Sequence, residues 1–374
     1  MSLAAVTWDF ALVGRTRMLT QAWRRAGLPT TFVQVPSWRT ALQRVTQAVR
    51  GRPDGPVVRP WPVRPSRWWD VDDEAGLRRA IRQRARGLRK QLEARIDFSA
   101  AAALVVSPVW TPWLDELPFR CIIYDCIDDL AVHVPRPHLA GLYARWEAEL
   151  VQRAAGAAVT ASPLAAHLRA RRPELPVATI RNGVDAAFFE RAARASPRPA
   201  DLPARGRPIV GFVGALYAWI DWELIERVAG TLSGCDFVFV GPHHGRGSVR
   251  RVARLKNVLF LGARRYERVP AYVQAFDVCW VPFDRSGVSQ AANPVKIYEY
   301  LALGKPVVAT PVADTAAFEG LVRVGRDADE IAGHLRAALA EGEQGAERRV
   351  GFARANSWDA RAAQYASFIA ALAR

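Results

Sequence analysis

The stretch Asn293-Pro294-Val295-Lys296-Ile297-Tyr298-Glu299-Tyr300-Leu301-Ala302-Leu303-Gly304-Lys305-Pro306-Val307-Val308-Ala309-Thr310 reads as loop, helix, turn and buried strand in one short segment. Asn293 can cap a helix whose first position is Pro294, where the missing N–H removes nothing the helix needed. Gly304 suits the left-handed position just past the helix end, and Pro306 stops any continuation. Val307, Val308 and Ala309 then form the short apolar run expected of a strand buried on both faces in a parallel sheet.

The polar residues make this segment a site candidate. Lys296 falls in the first turn, where free backbone N–H groups and the positive end of the helix dipole already favour an anion. Glu299 lies three residues on, so both side chains project from one side of the helix. A cation at the helix mouth and a carboxylate one turn deeper can grip a phosphate and a sugar diol together. That pairing suits a nucleotide-sugar, with its diphosphate at Lys296 and its ribose hydroxyls at Glu299. Surface Lys–Glu pairs share the spacing and are worth only about 0.2–0.5 kcal/mol. Here the cap, the terminal glycine and the following strand favour a site, because ligands of open α/β sheets collect beside helix N-termini at the carboxyl ends of strands.

With these residues the segment resembles the donor-binding motif of GT-B glycosyltransferases, in particular bacterial enzymes similar to glycosyltransferase family 4. Three further segments fit the resemblance. Arg181-Asn182-Gly183-Val184-Asp185 is similar to the end of that family's first domain, and Val210-Gly211-Phe212-Val213-Gly214-Ala215 to the strand and glycine turn that open its second. Tyr124-Asp125-Cys126-Ile127-Asp128-Asp129 resembles an aspartate-rich strand end found in one branch of these enzymes. The resemblance implies an α/β GT-B fold, with two Rossmann-like doubly wound domains facing a cleft. It also implies a C-terminal helix crossing back to the first domain. It gives an acceptor-binding domain over residues 1–195 plus 357–374 and a nucleotide-sugar-binding domain over residues 205–356. Two departures stand out. The family places an arginine and a lysine after the glycine turn, whereas Ala215 to Asp221 carries no cation. Of its paired glutamates, Glu299 fits the second, but Ala291 occupies the first position.

At 374 residues the chain is long enough for two domains, since single cores rarely grow past about 250–300 residues. No run of about 18 uncharged apolar residues predicts a membrane-spanning helix. Asp9, Arg15 and Arg17 interrupt any apolar signal region, so the reading is cytoplasmic. The four cysteines lie mostly in apolar runs, as reduced core residues do, and no Cys/His spacing suggests zinc. The net charge of +16 is almost all arginine. It suggests attraction to an anionic membrane surface at the inner face, at roughly 1 kcal/mol per basic residue close to it. Its densest patch runs from Arg78 to Arg95, where Leu77, Ile81, Leu88 and Leu92 make one apolar stripe on a helix. No nucleic-acid-binding motif is present.

Along the chain, strands are expected at Leu3–Val6, Thr31–Val35, Ala102–Val106, Cys121–Tyr124, Ala157–Thr160 and Val177–Ile180, with an irregular Pro/Arg-rich excursion from Arg52 to Arg67. A linker is expected over Arg191 to Arg207. The second unit reads as strands at Ile209–Val213, Phe237–Val240, Val258–Leu261, Val278–Val281 and Val307–Ala309, alternating with helices. A final helix is expected from Ser357 to Leu372.

Other candidates for the site are these. Gly214 can let the backbone approach a ligand, or simply make a tight turn. Tyr266 follows a strand and can line a nucleobase pocket with backbone groups, or belong to an ordinary loop. Asn293 and Pro294 belong to the helix mouth. Asp128, at a strand end, can deprotonate an acceptor hydroxyl as general base, with His133 as a second base candidate; Asp125 and His133 are also expected to bind the acceptor. Helix capping by the aspartates is the alternative reading. Arg17 can meet an acceptor phosphate, and Trp110 can stack on a sugar ring or fill the core with Trp113.

The whole predicts a metal-independent glycosyltransferase without a cofactor, moving a sugar from a nucleotide-diphosphate sugar to a sugar or lipid-linked acceptor. Lys296 is its electrostatic catalyst, and polysaccharide or glycoconjugate assembly is its setting. A GT-B sugar-nucleotide epimerase with the same donor grip, and a non-catalytic basic surface-binding protein, are the rival readings.

Overall fold

The computed structural model describes residues 2–3, 14–34, 57–58, 60, 73–128, 139–185, 188–190, 197–204, 206–243, 246–285 and 287–372. Contacts divide the chain into two units, residues 1–180 with 362–374, and residues 181–361.

The first unit carries a seven-stranded sheet. Its strands are β1 (Ser2–Leu3), β2 (Phe32–Val33), β3 (Val57–Val58), β4 (Ala102–Val105), β5 (Cys121–Cys126), β6 (Gly156–Val159) and β7 (Val177–Thr179). They run parallel in the order β3-β2-β1-β4-β5-β6-β7. Its helices are α1 (Arg15–Arg25), α2 (Glu74–Glu93), α3 (Ala140–Arg153) and α4 (Ser162–Arg171). β3 corrects the sequence reading, which left Arg52 to Arg67 irregular. Two valines pair with Phe32 and Val33 at the sheet edge, and so short a strand leaves no periodicity to read.

The basic helix α2 is held by its apolar stripe. Leu77, Ile81, Ala85, Leu88 and Leu92 are all buried, and Asp73 caps the helix by accepting from Gly76 N–H. Its cations are largely matched to carboxylates: Arg82 to Asp115, Arg86 to Glu116 and Arg89 to Glu93. Such exposed pairs each contribute little, about 0–1 kcal/mol, so the stripe rather than the charges fixes the helix.

The second unit contains β8 (Ile209–Val213), β9 (Asp236–Val240), β10 (Val258–Gly262), β11 (Val278–Val281), β12 (Val307–Ala309) and β13 (Val322–Val324). Between and after them come α5 (Trp222–Thr231), α6 (Arg246–Val252), α7 (Val269–Gln274), α8 (Gly287–Gln290), α9 (Val295–Ala302), α10 (Ala328–Glu341) and α11 (Ala346–Ala355). The last helix, α12 (Trp358–Leu372), starts in this unit and passes to the first from Ala362. The sheet is wholly parallel in the order β10-β9-β8-β11-β12-β13, the doubly wound arrangement.

Its strands alternate strictly between two cores. Val210, Phe212, Phe237, Phe239, Val278, Trp280 and Val308 face one layer with Ile225, Val228, Ile331 and Leu335 of α5 and α10. Ile209, Val213, Val238, Val240, Cys279, Val281, Val307 and Ala309 face the other, with Val273 of α7 and Ile297 and Leu301 of α9. Burial on both faces is why these strands read as continuous apolar runs. The strand order reverses between β8 and β11, so the ends of these two strands and the loop from β11 to α9 form the position where such sheets hold ligands.

Candidate active site

The site is built on α9. The helix begins at Val295, with Pro294 as its cap residue in an extended conformation. Asn293 therefore does not cap it, contrary to the sequence reading. Its side-chain oxygen instead accepts from the Asn182 backbone N–H at 2.9 Å and from the Tyr298 hydroxyl at 3.2 Å. The Asn182 side-chain amide in turn donates to the Asn293 carbonyl at 2.6 Å. This reciprocal pair pins the loop before α9 to the Arg181-Asn182-Gly183 segment. That segment thus packs in the second unit, not at the end of the first, because its hydrogen-bond partners lie there. Gly304 closes the helix at φ +69°, the left-handed geometry that favours glycine.

Lys296 and Glu299 form an ion pair, Nζ to Oε2 at 3.0 Å. Glu299 is almost completely buried, with its side chain 2 % exposed against 21 % for Lys296. The ammonium is the reachable group, and the carboxylate beneath it sets its position. One residue further, the Tyr300 hydroxyl accepts from Val213 N–H at 2.8 Å and donates to the Val213 carbonyl at 3.3 Å. Burial, with Cys279 and Glu299 nearby, pushes this phenol well above its ordinary pKa, so it stays protonated. The bond fastens α9 to the end of β8, where the glycine turn begins.

Gly214 stands beside the lysine. A methyl group built at Gly214 would lie 3.6 Å from Lys296 Cε. The backbone is far tighter on the other side: at Gly241 an added Cβ would fall 1.7 Å from the Gly214 carbonyl oxygen. The close approach of these two strand-end loops requires glycine at 241. Gly214, Asn293, Pro294, Lys296 and Glu299 thus gather at one strand-end corner. Tyr266 follows β10 in the same unit, where its half-buried ring packs against Phe188 with centroids 6.1 Å apart. The ring fills the hydrophobic layer under the loop instead of standing free for a base.

The candidates in the first unit fare differently. Asp125 is completely buried. Its carboxylate accepts from Arg15 Nε at 3.1 Å and from the Tyr365 hydroxyl at 2.5 Å. Arg15 also donates to the Ile180 carbonyl at 2.6 Å and to Tyr365 at 2.8 Å. Burial works against the Arg15 charge, but Asp125 and Tyr365 more than offset it, and its pKa lies above the ordinary value. A carboxylate so enclosed cannot meet an acceptor, so Asp125 is a packing residue. Trp110 is also completely buried, edge-on to Trp113 at 5.5 Å, which corrects the stacking role. Asp128 is half-buried on the loop after β5, and Arg17 is half-buried in the first turn of α1. His133 and Asp129 lie outside the described residues. Sequence reading missed Asn182, Tyr300 and Arg15 as positioning groups; Asn182 and Tyr300 carried a signal, through the motifs quoted for them, and Arg15 carried none.

Comparison with known proteins agrees with this architecture. Residues 207–341 match the family Glycosyl transferases group 1. TuaH of Bacillus subtilis (strain 168), named for teichuronic acid biosynthesis and for glycosyltransferase activity, is 31 % identical over 212 residues. That alignment covers 53 % of this chain and 52 % of TuaH, so the chain matches about half the length of its curated relative. Among solved structures, Anabaena Alr3699/HepE in complex with UDP-glucose superposes with a TM-score of 0.70 at 14 % identity, covering 99 % of each chain. A glycosyltransferase from Rickettsia africae ESF-5 superposes with a TM-score of 0.68 at 11 % identity, covering 99 % of this chain and 97 % of its own. The chain therefore has the GT-B fold, and residues 207–341 of its second unit match the Glycosyl transferases group 1 model.

Proposed function

We propose that this protein transfers a sugar from a nucleotide-diphosphate sugar to an acceptor hydroxyl in the assembly of a bacterial polysaccharide or glycoconjugate. The observation that carries the proposal is the Lys296–Glu299 pair at the mouth of α9, at the point where the strand order reverses. The diphosphate docks on the α9 N-terminus and Lys296, which neutralise the charge that builds on the leaving group. Glu299, with its side chain 2 % exposed, orients the ammonium from beneath. With no cation in the Ala215 to Asp221 stretch, Lys296 carries most of the phosphate contact. Where the anomeric configuration is inverted, Asp128 is the base. TuaH and the UDP-glucose complex of HepE support a sugar donor of this class.

Thermal-shift measurement against a panel of nucleotide-diphosphate sugars tests the donor. At a hundred times its dissociation constant the right donor adds about 2.7 kcal/mol of stability, and Glu299→Gln removes the shift. A panel without any hit, or a shift unchanged in Glu299→Gln, refutes the reading.

The acceptor is a sugar or a lipid-linked sugar, presented at an anionic membrane surface on the cytoplasmic side. No described helix is long and apolar enough to cross a membrane. The apolar stripe of α2 is spent inside the unit, so the attraction is electrostatic, through exposed residues such as Arg79, Arg84 and Lys90. Three such residues supply about 3 kcal/mol at low salt. Co-sedimentation with vesicles containing anionic lipid is expected at low ionic strength and is lost at about 0.5 M salt. Binding that ignores lipid charge or salt contradicts this part of the proposal.

A further inference from the structure

At the opposite end of α9 from Lys296 lies a second polar recess, a cavity of about 140 Å³. It opens beside Val307 at the start of β12 and Gly320 before β13. Three arginines line it: Arg323 from β13 and Arg348 and Arg349 from α11. Among the described residues lining it, one carboxylate is present, Glu341 at the end of α10, and it pairs with Arg323 and Arg349. Arg349 is 4 % exposed. Its Nε donates to the Gly304 carbonyl at 2.7 Å, and its Nη1 to one oxygen of Glu341. Arg323 donates to the other oxygen of Glu341. Among the described residues the exposed Arg348 donates to a neutral group, the Glu319 carbonyl, at 2.8 Å.

Guanidinium groups stay charged at any pH a protein meets, so the recess holds three positive charges against one negative. Burial alone would raise the Glu341 pKa, yet the hydrogen bonds from Arg349 and Arg323 hold it below the ordinary value. The carboxylate is therefore ionised, and among the described residues it is engaged by Arg349 and Arg323, not by Arg348. The exposed Arg348 lines the recess without a carboxylate partner among the described residues, and an anion entering it gains that cation as well as the edge of Arg323. The shape selects the anion. The volume falls well below the roughly 300 Å³ at which pockets for drug-sized molecules begin, and planar guanidinium forks match phosphoryl oxygens.

We propose that this recess binds a phosphoryl group, either inorganic phosphate or the terminal group of a small phosphomonoester, at a site separate from the one at Lys296. Eight residues of α9, about 12 Å at 1.5 Å per residue, separate the two. The proposal stands or falls independently of the transferase reading.

The experiment is a titration of the full chain by calorimetry and thermal shift with sodium phosphate, against sodium chloride at matched ionic strength. Lys296→Ala serves as background, so that anions at the α9 mouth do not register. Saturable binding is expected there. Arg348→Ala, at an exposed side chain, and Arg323→Ala, at a partly exposed one, are each expected to weaken it at least tenfold. Glycerol phosphate in place of phosphate identifies the source: equal affinity marks a phosphomonoester site, and loss of binding marks a site for free phosphate. An absent phosphate response in Lys296→Ala, or one unchanged by Arg348→Ala, overturns the proposal.

Discussion

Alanine at position 296 is expected to lower kcat/KM for sugar transfer by about 100- to 1000-fold, the range lost when one preorganised charge-stabilising group is removed from an active site. The site gives reason to expect the upper part of that range. The loop after Gly214 offers no second cation, so on α9 the diphosphate would keep the backbone N–H groups alone. The loss should fall on kcat as well as KM, because charge on the leaving group is greatest in the transition state. A structural objection can be met directly. Lys296→Ala also strips a buried carboxylate of its partner, and Glu299 then destabilises the fold by an amount a fully buried pair would put at about 3–5 kcal/mol. The partial exposure of the lysine reduces that figure. The double variant Lys296→Met with Glu299→Gln removes both charges together, and is expected to recover melting temperature without recovering transfer. Recovery of both would make the pair a packing device and would leave the donor site unassigned.

Asp125→Asn carries the largest expected effect on stability. The substitution keeps size and shape but leaves the Arg15 guanidinium buried without a counter-charge, beside a tyrosine hydroxyl that has lost its anionic acceptor. Breaking such a pair costs about 3–5 kcal/mol. For a unit of this size, that corresponds to a fall in melting midpoint of about 6–20 °C. Below the melting range the variant should retain kcat, since no atom of Asp125 is exposed to substrate. The opposite pattern, an unchanged midpoint with lost activity, would restore Asp125 to the acceptor site. A companion variant, Tyr365→Phe, removes the hydroxyl's two hydrogen bonds, one to Asp125 and one from Arg15, but no charge, and is expected to cost about 1.5–3 kcal/mol.

These two positions also show what a sequence can and cannot disclose. Lys296 and Glu299 are three residues apart on one helix, so local geometry alone brings them together. Asp125 meets Arg15 across 110 positions and Tyr365 across 240, and no local pattern announces such a meeting. The same contrast runs through the fold. Ile209–Val213, Val278–Val281 and Val307–Ala309 were legible to the residue because strands buried on both faces are apolar throughout. Val322-Arg323-Val324 was not, since an edge strand with a cation at its centre looks like any loop. Trp110 and Trp113 were ambiguous for a different reason: an aromatic ring serves a core and a sugar platform equally well, and only burial separates the two. Asn293 was placed at the right corner but given the wrong bond, because its partner, Asn182, comes from 111 positions away.

The division of the chain has a consequence for its synthesis. Residues 181–361 are contiguous and can close as soon as they leave the ribosome, whereas the first unit needs residues 362–374, including the Tyr365 hydroxyl. The 194 residues from 181 to 374 take about 10–40 s to translate at 5–20 residues per second. Throughout that interval the nascent amino-terminal half holds a charged arginine–aspartate pair with its lid missing. Chaperone dependence should therefore concentrate on this half, and a gene permuted to place residues 362–374 ahead of residue 1 should relieve it.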